Sequence, residues 1–99
     1  YYAQEALKLS KTENSKRLSA LAHQQIGKAF LAQDNIVLAL ESFISAKKIY
    51  QDQLNLKQLA FNHILIGDLY GKIGDLLRAE NEFFSCISIY YHAFLFLSH

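Results

Sequence analysis

The chain repeats itself at an interval of 40 residues, and this feature limits its fold more than any other. Residues 20–50 align with residues 60–90 without a gap, and nine positions are identical. The identical pairs are Ala20/Ala60, His23/His63, Ile26/Ile66, Gly27/Gly67, Ala39/Ala79, Phe43/Phe83, Ser45/Ser85, Ile49/Ile89 and Tyr50/Tyr90. A period of about 20 to 50 residues is typical of folds that stack one supersecondary unit. The repeat therefore predicts an array in which residues 11–50 form one unit and residues 51–90 form the next.

Each unit is predicted to contain two helices rather than strands. Apolar side chains recur at three- and four-residue steps, which places them on one helical face. In the first unit these are Ala22, Ile26 and Phe30, followed by Ala39, Phe43, Ala46 and Tyr50. The uninterrupted segments also run for about 15 residues, roughly twice the length of a typical strand. The chain is therefore predicted to be all-α.

Short polar segments mark the ends of the helices. Asp34-Asn35 and Gly74-Asp75 lie at the same place in the two units. Gly74 suits the left-handed residue that ends a helix, and the Asn or Asp that follows suits an N-cap. The polar residues 11–15 separate the units, and so do Gln51-Asp52-Gln53 together with Asn55, a plausible N-cap. About five helices are therefore expected, over residues 1–10, 16–32, 36–50, 56–72 and 76–90.

Composition and charge narrow the class of function. Ten Lys and Arg against nine Asp and Glu leave a net charge of +1, which supplies no field that would attract nucleic acid or an anionic membrane. The uncharged run around residues 86–97 is shorter than the roughly 20 apolar residues that span a bilayer. Cys86 is the only cysteine, which excludes an intramolecular disulfide and a multi-cysteine metal site. We therefore expect no nucleic acid partner and no membrane contact by this segment.

The sequence contains no residue constellation typical of an enzyme. Gly-rich phosphate loops, Gly-x-Ser-x-Gly and His-Glu-x-x-His are all absent. His23 and His63 occupy equivalent positions of stacked helices, so we expect them about 10 Å apart, too far to share a metal ion. They are interpreted as packing residues with one ring nitrogen hydrogen-bonded, and Cys86 as a buried, unreactive thiol. The chain is therefore predicted to be no enzyme and to hold no cofactor or metal.

The repeated residues resemble those of the tetratricopeptide repeat family. The first helix of that family has a glycine where the second helix crosses closely, and Gly27 and Gly67 occupy this position. Its second helix follows a small–aromatic–small pattern, which Ala39-Phe43-Ala46 and Ala79-Phe83-Cys86 match. The resemblance covers essentially the whole chain. It implies antiparallel helix-turn-helix units arranged in a right-handed superhelix.

Three features depart from the pattern of that family. The period is 40 residues instead of about 34, as in the long-helix variety seen in bacterial signalling and regulatory proteins. His23 and His63 replace a bulky aromatic or amide side chain, and no proline closes either second helix. Extended outward, the register makes residues 1–10 the end of a preceding second helix and residues 91–99 the start of a truncated further repeat. The absence of Met adds to the expectation that the chain is part of a longer protein.

The ends of the chain predict self-association. Residues 90–97 are apolar, whereas the equivalent joint between the units is polar. This tail is expected to pack on another copy of the chain or on sequence outside it. Residues 1–50 hold seven Lys and Arg against four acids, and residues 51–99 hold three against five. Such opposite charges favour a head-to-tail arrangement of copies.

The resemblance also implies a concave groove lined by the exposed face of the first helix of each unit. The residues at these positions are Leu21, Gln24, Lys28 and Leu31, then Phe61, Ile64, Asp68 and Gly71. This mixture suits a peptide or helix held by a few anchors, and it is equally compatible with ordinary exposed helix surface. The predicted function is a non-catalytic scaffold that binds another protein or peptide. The alternatives are a sensory or regulatory segment of a larger bacterial signalling protein, such as a histidine kinase or transcriptional regulator, and a structural spacer.

Overall fold

The computed structural model describes the backbone of residues 2–98 and the side chains of residues 12–97. Within that range it contains four helices and no strand: α1 (Tyr2–Ala32), α2 (Ile36–Asp52), α3 (Leu56–Lys72) and α4 (Leu76–Ser98). The all-α prediction is confirmed. Helices that are consecutive in sequence are neighbours in space, since α1 packs on α2, α2 on α3 and α3 on α4.

The first helix differs from the prediction. Residues 1–10 were expected to form a separate helix, but residues 2–10 continue through the polar segment at 11–15 into α1, so residues 2–98 form four helices and not five. Residues 11–15 contain neither Gly nor Pro. Thr, Asn and Ser each cost only about half a kcal/mol inside a helix, and residues 12–15 are exposed to water. Tyr1 and the side chains of residues 2–11 lie outside the described residues.

The three turns share one conformation and lie 20 residues apart. In each, the residue after the turn donates a backbone hydrogen bond to a carbonyl five residues earlier, which closes the end of the helix. These bonds run from Asn35 to Phe30, from Asn55 to Tyr50 and from Asp75 to Tyr70, with N···O distances of 2.9–3.0 Å. The residue with positive φ is Asp34 in the first turn, Leu54 in the second and Gly74 in the third. The turns at residues 34 and 74 were predicted, whereas a left-handed Leu54 was not.

Both predicted close crossings are present. A Cβ atom built on Gly27 of α1 would lie 2.7 Å from the ring of Phe43 on α2. One built on Gly67 of α3 would lie 2.8 Å from the ring of Phe83 on α4. Real Cβ atoms are not found at such distances, so only glycine lets each pair of helices come this close. The two units therefore use the same contact.

The core is centred on the pair α2 and α3. One cluster joins Ala39, Leu40 and Phe43 of α2 to Ile66 and Leu69 of α3. A second cluster joins Ala20 of α1, Ala46 and Tyr50 of α2 and Leu59 of α3. The helix α4 adds the partly buried Ile89 to the second cluster. Burial of apolar area at these contacts is the main favourable term in folding.

Within the described range, no helix has the combination of length and apolar character that crossing a membrane requires.

Candidate binding groove

A groove of about 390 Å³ lies between α1 and α3, and Tyr90 of α4 also lines it. On α1 the lining side chains recur at three- and four-residue steps, and on α3 they do the same, so one face of each helix forms a wall. The lining residues are Leu21, Gln24, Gln25 and Lys28 of α1, Lys57, Gln58 and Phe61 of α3, and Tyr90.

The groove continues into an adjoining hollow of about 280 Å³. The two share Leu21, Lys57 and Gln58. Arg17, Tyr50 and Asn55 complete the lining of the second hollow. We refer to both together as the α1–α3 groove. Its combined size suits a short stretch of peptide better than a deeply enclosed small molecule.

The groove has a positive electrostatic character. Arg17, Lys28 and Lys57 line it, and none of the described lining residues is an aspartate or glutamate. The same groove is lined by the apolar groups of Leu21, Phe61 and Tyr90. The three apolar side chains are 37%, 40% and 57% exposed, respectively. This lining can therefore contact an apolar side chain and neighbouring carboxylates.

Contacts across the groove fix its two walls. The Lys28 ammonium of α1 lies 5.6 Å from the centre of the Phe61 ring of α3, a cation–π contact worth roughly 0.5–1 kcal/mol at an exposed site. Beneath it, the Tyr50 hydroxyl donates a hydrogen bond of 3.3 Å to the Gln24 side-chain oxygen. Both residues are buried, and burial raises the pKa of the Tyr50 hydroxyl, so it remains a donor. The floor of the groove is therefore tied to α2.

The structure brings together four of the eight predicted groove residues. Leu21, Gln24, Lys28 and Phe61 line the α1–α3 groove. Leu31 is half-buried and packs against the α2–α3 core instead. Ile64, Asp68 and Gly71 are exposed and lie further along the face of α3 that carries Phe61, outside the lining of this groove. The predicted positions thus divide between the groove, the core and the remaining surface of α3.

Seven of the eleven lining residues were not among the predicted groove residues, and the repeat contained a signal for part of them. Arg17 and Lys57 are 40 residues apart, so a basic residue occupies the same place at the start of both walls. Tyr90 was recognised only as a repeat position of α4. Its place at the groove depends on how α4 packs beside α3, which no local pattern reveals.

A second polar feature joins three helices on another part of the molecule. Glu82 of α4 accepts a hydrogen bond from His63 Nδ1 of α3 at 2.5 Å, and Lys47 Nζ of α2 approaches its other carboxylate oxygen at 3.4 Å. The side chains are between 9% and 20% exposed. The predicted role of His63 is confirmed, because its ring packs between helices with one nitrogen hydrogen-bonded. We refer to these residues as the Lys47–His63–Glu82 cluster.

The cluster holds a carboxylate in its charged form. Partial burial by itself would raise the pKa of the Glu82 carboxyl, but the hydrogen bond from His63 and the positive charges of Lys47 and His63 outweigh this effect. The pKa therefore lies below its ordinary value. Such a group stabilises the fold at neutral pH and is a poor proton donor there.

Other chemistry-bearing groups are positioned for packing. Cys86 is 6% exposed, and burial raises the pKa of its thiol, which disfavours the nucleophilic thiolate. No group of three His, Cys, Asp or Glu residues that would hold a metal ion occurs within the described range.

No protein-family model matches the chain, and a comparison with curated protein sequences finds no match.

Proposed function

We propose that the chain is a non-catalytic protein-binding scaffold built from tetratricopeptide-like helical units, and that its α1–α3 groove binds an acidic peptide segment with an apolar anchor. The observation that carries this proposal is the composition of the groove. Arg17, Lys28 and Lys57 line it together with Leu21, Phe61 and Tyr90, and no acid is among the described lining residues. A partner of complementary charge and shape gains specificity and a faster association rate from such a surface.

The paired glycine crossings support the family part of the proposal. The rings of Phe43 and Phe83 pack against Gly27 and Gly67, and a Cβ atom built on either glycine would lie at nearly the same distance from the ring. Two copies of one contact, 40 residues apart, are what a repeat architecture requires. The same feature supports the binding role, since stacking similar units creates extended surfaces that proteins use to grip a partner.

A peptide fits the groove better than a nucleic acid does. Nucleic-acid grooves usually combine a continuous basic track with several aromatic rings on which bases stack. This groove contains three cations, and of its three aromatic side chains Tyr50 is fully buried, which leaves Phe61 and Tyr90 exposed on separate helices. The net charge of the whole chain is only +1. A short acidic segment with one or two apolar anchors matches these features.

Fluorescence anisotropy with labelled peptides tests the proposal. The probe is a short peptide in which Glu residues flank a Leu-Phe pair, and the control peptide replaces each Glu with Lys. We expect the acidic peptide to bind, the basic one not to bind, and the affinity to fall as salt concentration rises.

Charge reversals in the protein locate the site. Lys57→Glu and Lys28→Glu are each expected to weaken binding about tenfold or more. The matched control Lys48→Glu removes an exposed cation of α2 that does not line the groove, and it should change binding less than about twofold. Equal binding of both peptides, equal effects of the three variants, or preference for a single-stranded oligonucleotide would overturn the proposal.

A further inference from the structure

The outward surface of α4 repeats a surface that α2 keeps covered. On α2, α3 covers the face formed by Leu40, Phe43 and Tyr50, of which Phe43 and Tyr50 are fully buried. Forty residues on, Phe83 is 37% exposed and Tyr90 is 57% exposed. Leu76 and Ile87 on the same side of α4 are also exposed. We define the outer face of α4 as Leu76, Glu80, Phe83, Ile87 and Tyr90.

The outward surface of α1 likewise repeats a surface of α3, the one that α2 covers. The residues of α3 that face α2 are buried: Leu59, Asn62, Ile66 and Leu69. Their counterparts 40 residues earlier are exposed and mostly small, with Ile26 at 47% exposure. We define the outer face of α1 as Ser19, Ala22, Ile26 and Ala29.

We propose that the chain assembles head to tail, with α1 of a second copy packed on the outer face of α4 as α3 packs on α2. The α2–α3 contact within one chain gives the geometry of the proposed contact between chains. Each residue of the two outer faces lies 40 positions from the equivalent position of α2 or α3. Under this register Ile26 of the second copy takes the place of Ile66. Ala29 of the second copy takes the place of Leu69, opposite the Glu80 position.

Size and charge complementarity favour this occupant over two α4 helices packed on each other. The outer face of α4 carries large side chains, and that of α1 carries small ones, so the two interdigitate with close backbone approach. Two outer faces of α4 in contact would set one row of bulky rings against another. Residues 1–50 have a net charge of +3 and residues 51–99 a net charge of −2, from seven cations minus four acids and three minus five. A head-to-tail contact brings these opposite charges together.

The assembly also completes a second groove. In the single chain, Ile64 and Asp68 are exposed and line no part of the α1–α3 groove. They hold the positions of Gln24 and Lys28, which do line it. When α1 of a second copy lies beside α3, it supplies the missing wall, including Arg17 and Leu21 of the second copy. The second copy therefore contributes residues to a site that one chain leaves incomplete.

Mass measurement over a range of concentrations provides the first test. Because the two faces differ, the contact is heterologous and continues unless it closes into a ring. We expect the mass from light scattering or sedimentation to rise with concentration beyond that of a dimer. A chain that stays monomeric at high concentration, or that stops at a dimer, would contradict the proposal.

A pair of complementary variants provides the decisive test. Ile26→Asp introduces a charge into the outer face of α1, and Tyr90→Lys does so in that of α4, where it would meet Arg17 of the second copy. Each variant alone should remain monomeric. Mixed in equal amounts, they should form a one-to-one dimer that grows no further, since each chain keeps one intact face. Dimers formed by Ile26→Asp alone would show that α4 pairs with α4, and no dimer in the mixture would also overturn the proposal.

Two further variants control and sharpen the result. Val37→Asp places the same charge at an exposed position of α2 outside both faces, and it should leave the wild-type association unchanged. Glu80→Leu restores the residue that α2 has at position 40, and it should strengthen association about tenfold. Ile26→Asp does not touch the α1–α3 groove, so its monomer should still bind the acidic peptide. Failure of assembly is thereby distinguished from failure of the groove.

Discussion

The two helical units contain the same packing residues in different surroundings. Phe43 and Phe83 press against Gly27 and Gly67 with nearly equal closeness. Phe43 is nevertheless fully buried, whereas Phe83 is 37% exposed. The helix α2 packs along α1 on one side and α3 on the other, whereas in the described part of the chain α4 packs along α3 and reaches α2 through the Lys47–Glu82 contact. The motif within a unit determines which side chains meet, and the next helix in the row determines how much water remains around them.

The units also differ in the polar contacts that hold their helices together. In the first, Tyr50 donates to the buried Gln24. The second unit has Ile64 at the position of Gln24. In place of Ser42 it has Glu82, which joins the Lys47–His63–Glu82 cluster. Positions outside the shared packing motif therefore carry different side chains in the two units and make different polar contacts.

Removal of the two phenylalanine rings should produce the largest difference between the units. We expect Phe43→Ala to reduce the free energy of unfolding by about 3–5 kcal/mol, because a fully buried ring leaves a cavity. Phe83→Ala should cost roughly half as much, since its ring is partly hydrated already. Urea unfolding followed by circular dichroism, at a concentration where the chain is monomeric, measures both. Equal losses would show that burial does not separate the two units.

Side chains added at the glycine crossings should give the next largest difference. Val and Gly have similar helix propensities, so Gly27→Val and Gly67→Val isolate the steric effect. Gly27→Val forces a side chain against the enclosed Phe43 ring and should cost about 2–3 kcal/mol. Phe83 can turn toward solvent, so Gly67→Val should cost about 1 kcal/mol. A larger loss for Gly67→Val in the same unfolding measurement would reverse this ranking.

Deletion of the two tyrosine hydroxyls tests a smaller term. Tyr50→Phe leaves the buried Gln24 oxygen without its donor and should cost about 1–2 kcal/mol. Tyr90→Phe removes a hydroxyl from a residue that is mostly exposed, so its stability should stay within about half a kcal/mol of wild type. Thermal or urea unfolding of the two variants and the wild type measures both changes in stability. If both variants lose the same amount, the Tyr50–Gln24 contact contributes no stability.

The Lys47–His63–Glu82 cluster, which joins the second unit to α2 of the first, predicts a pH dependence of the stability. Because the folded-state pKa of Glu82 lies below its ordinary value of 4.5, its contribution is fully present above that value and is lost as pH falls through the folded-state pKa. Glu82→Gln should lower stability at pH 7 by about 1 kcal/mol, and the difference from wild type should shrink toward pH 3. Unfolding curves at several pH values measure it. A constant difference across this range would contradict the role of the carboxylate.

Much of the fold could be predicted because its signals are local. The period of apolar residues places α2 and α3, and Asp34-Asn35 and Gly74-Asp75 predict two of the turns. The expected separation of residues 1–10 from α1 was wrong because polar residues alone do not end a helix. Leu54 adopts a left-handed conformation that its residue type disfavours. The joint at residues 51–55 was predicted from its polar residues, but the left-handed conformation of Leu54 was not.

The candidate groove could be predicted only in part. The resemblance to tetratricopeptide repeats implied Leu21, Gln24 and Lys28 as part of one wall, and these residues do line the groove from one face of α1. The contributions of Lys57 and Tyr90 depend on the relative placement of α3 and α4. The packing of Leu31 against the α2–α3 core depends on the relative placement of the helices in the same way.

The sequence by itself determined the helical units, their 40-residue period and the glycine–phenylalanine crossings. These features depend on contacts between residues close in the chain or related by the repeat. Only the tertiary structure decided which copy of each motif is buried, which cations line the groove and which partners Glu82 receives. Burial and charge pairing are sums over side chains from several helices, so they exist only once α1 to α4 are packed in order.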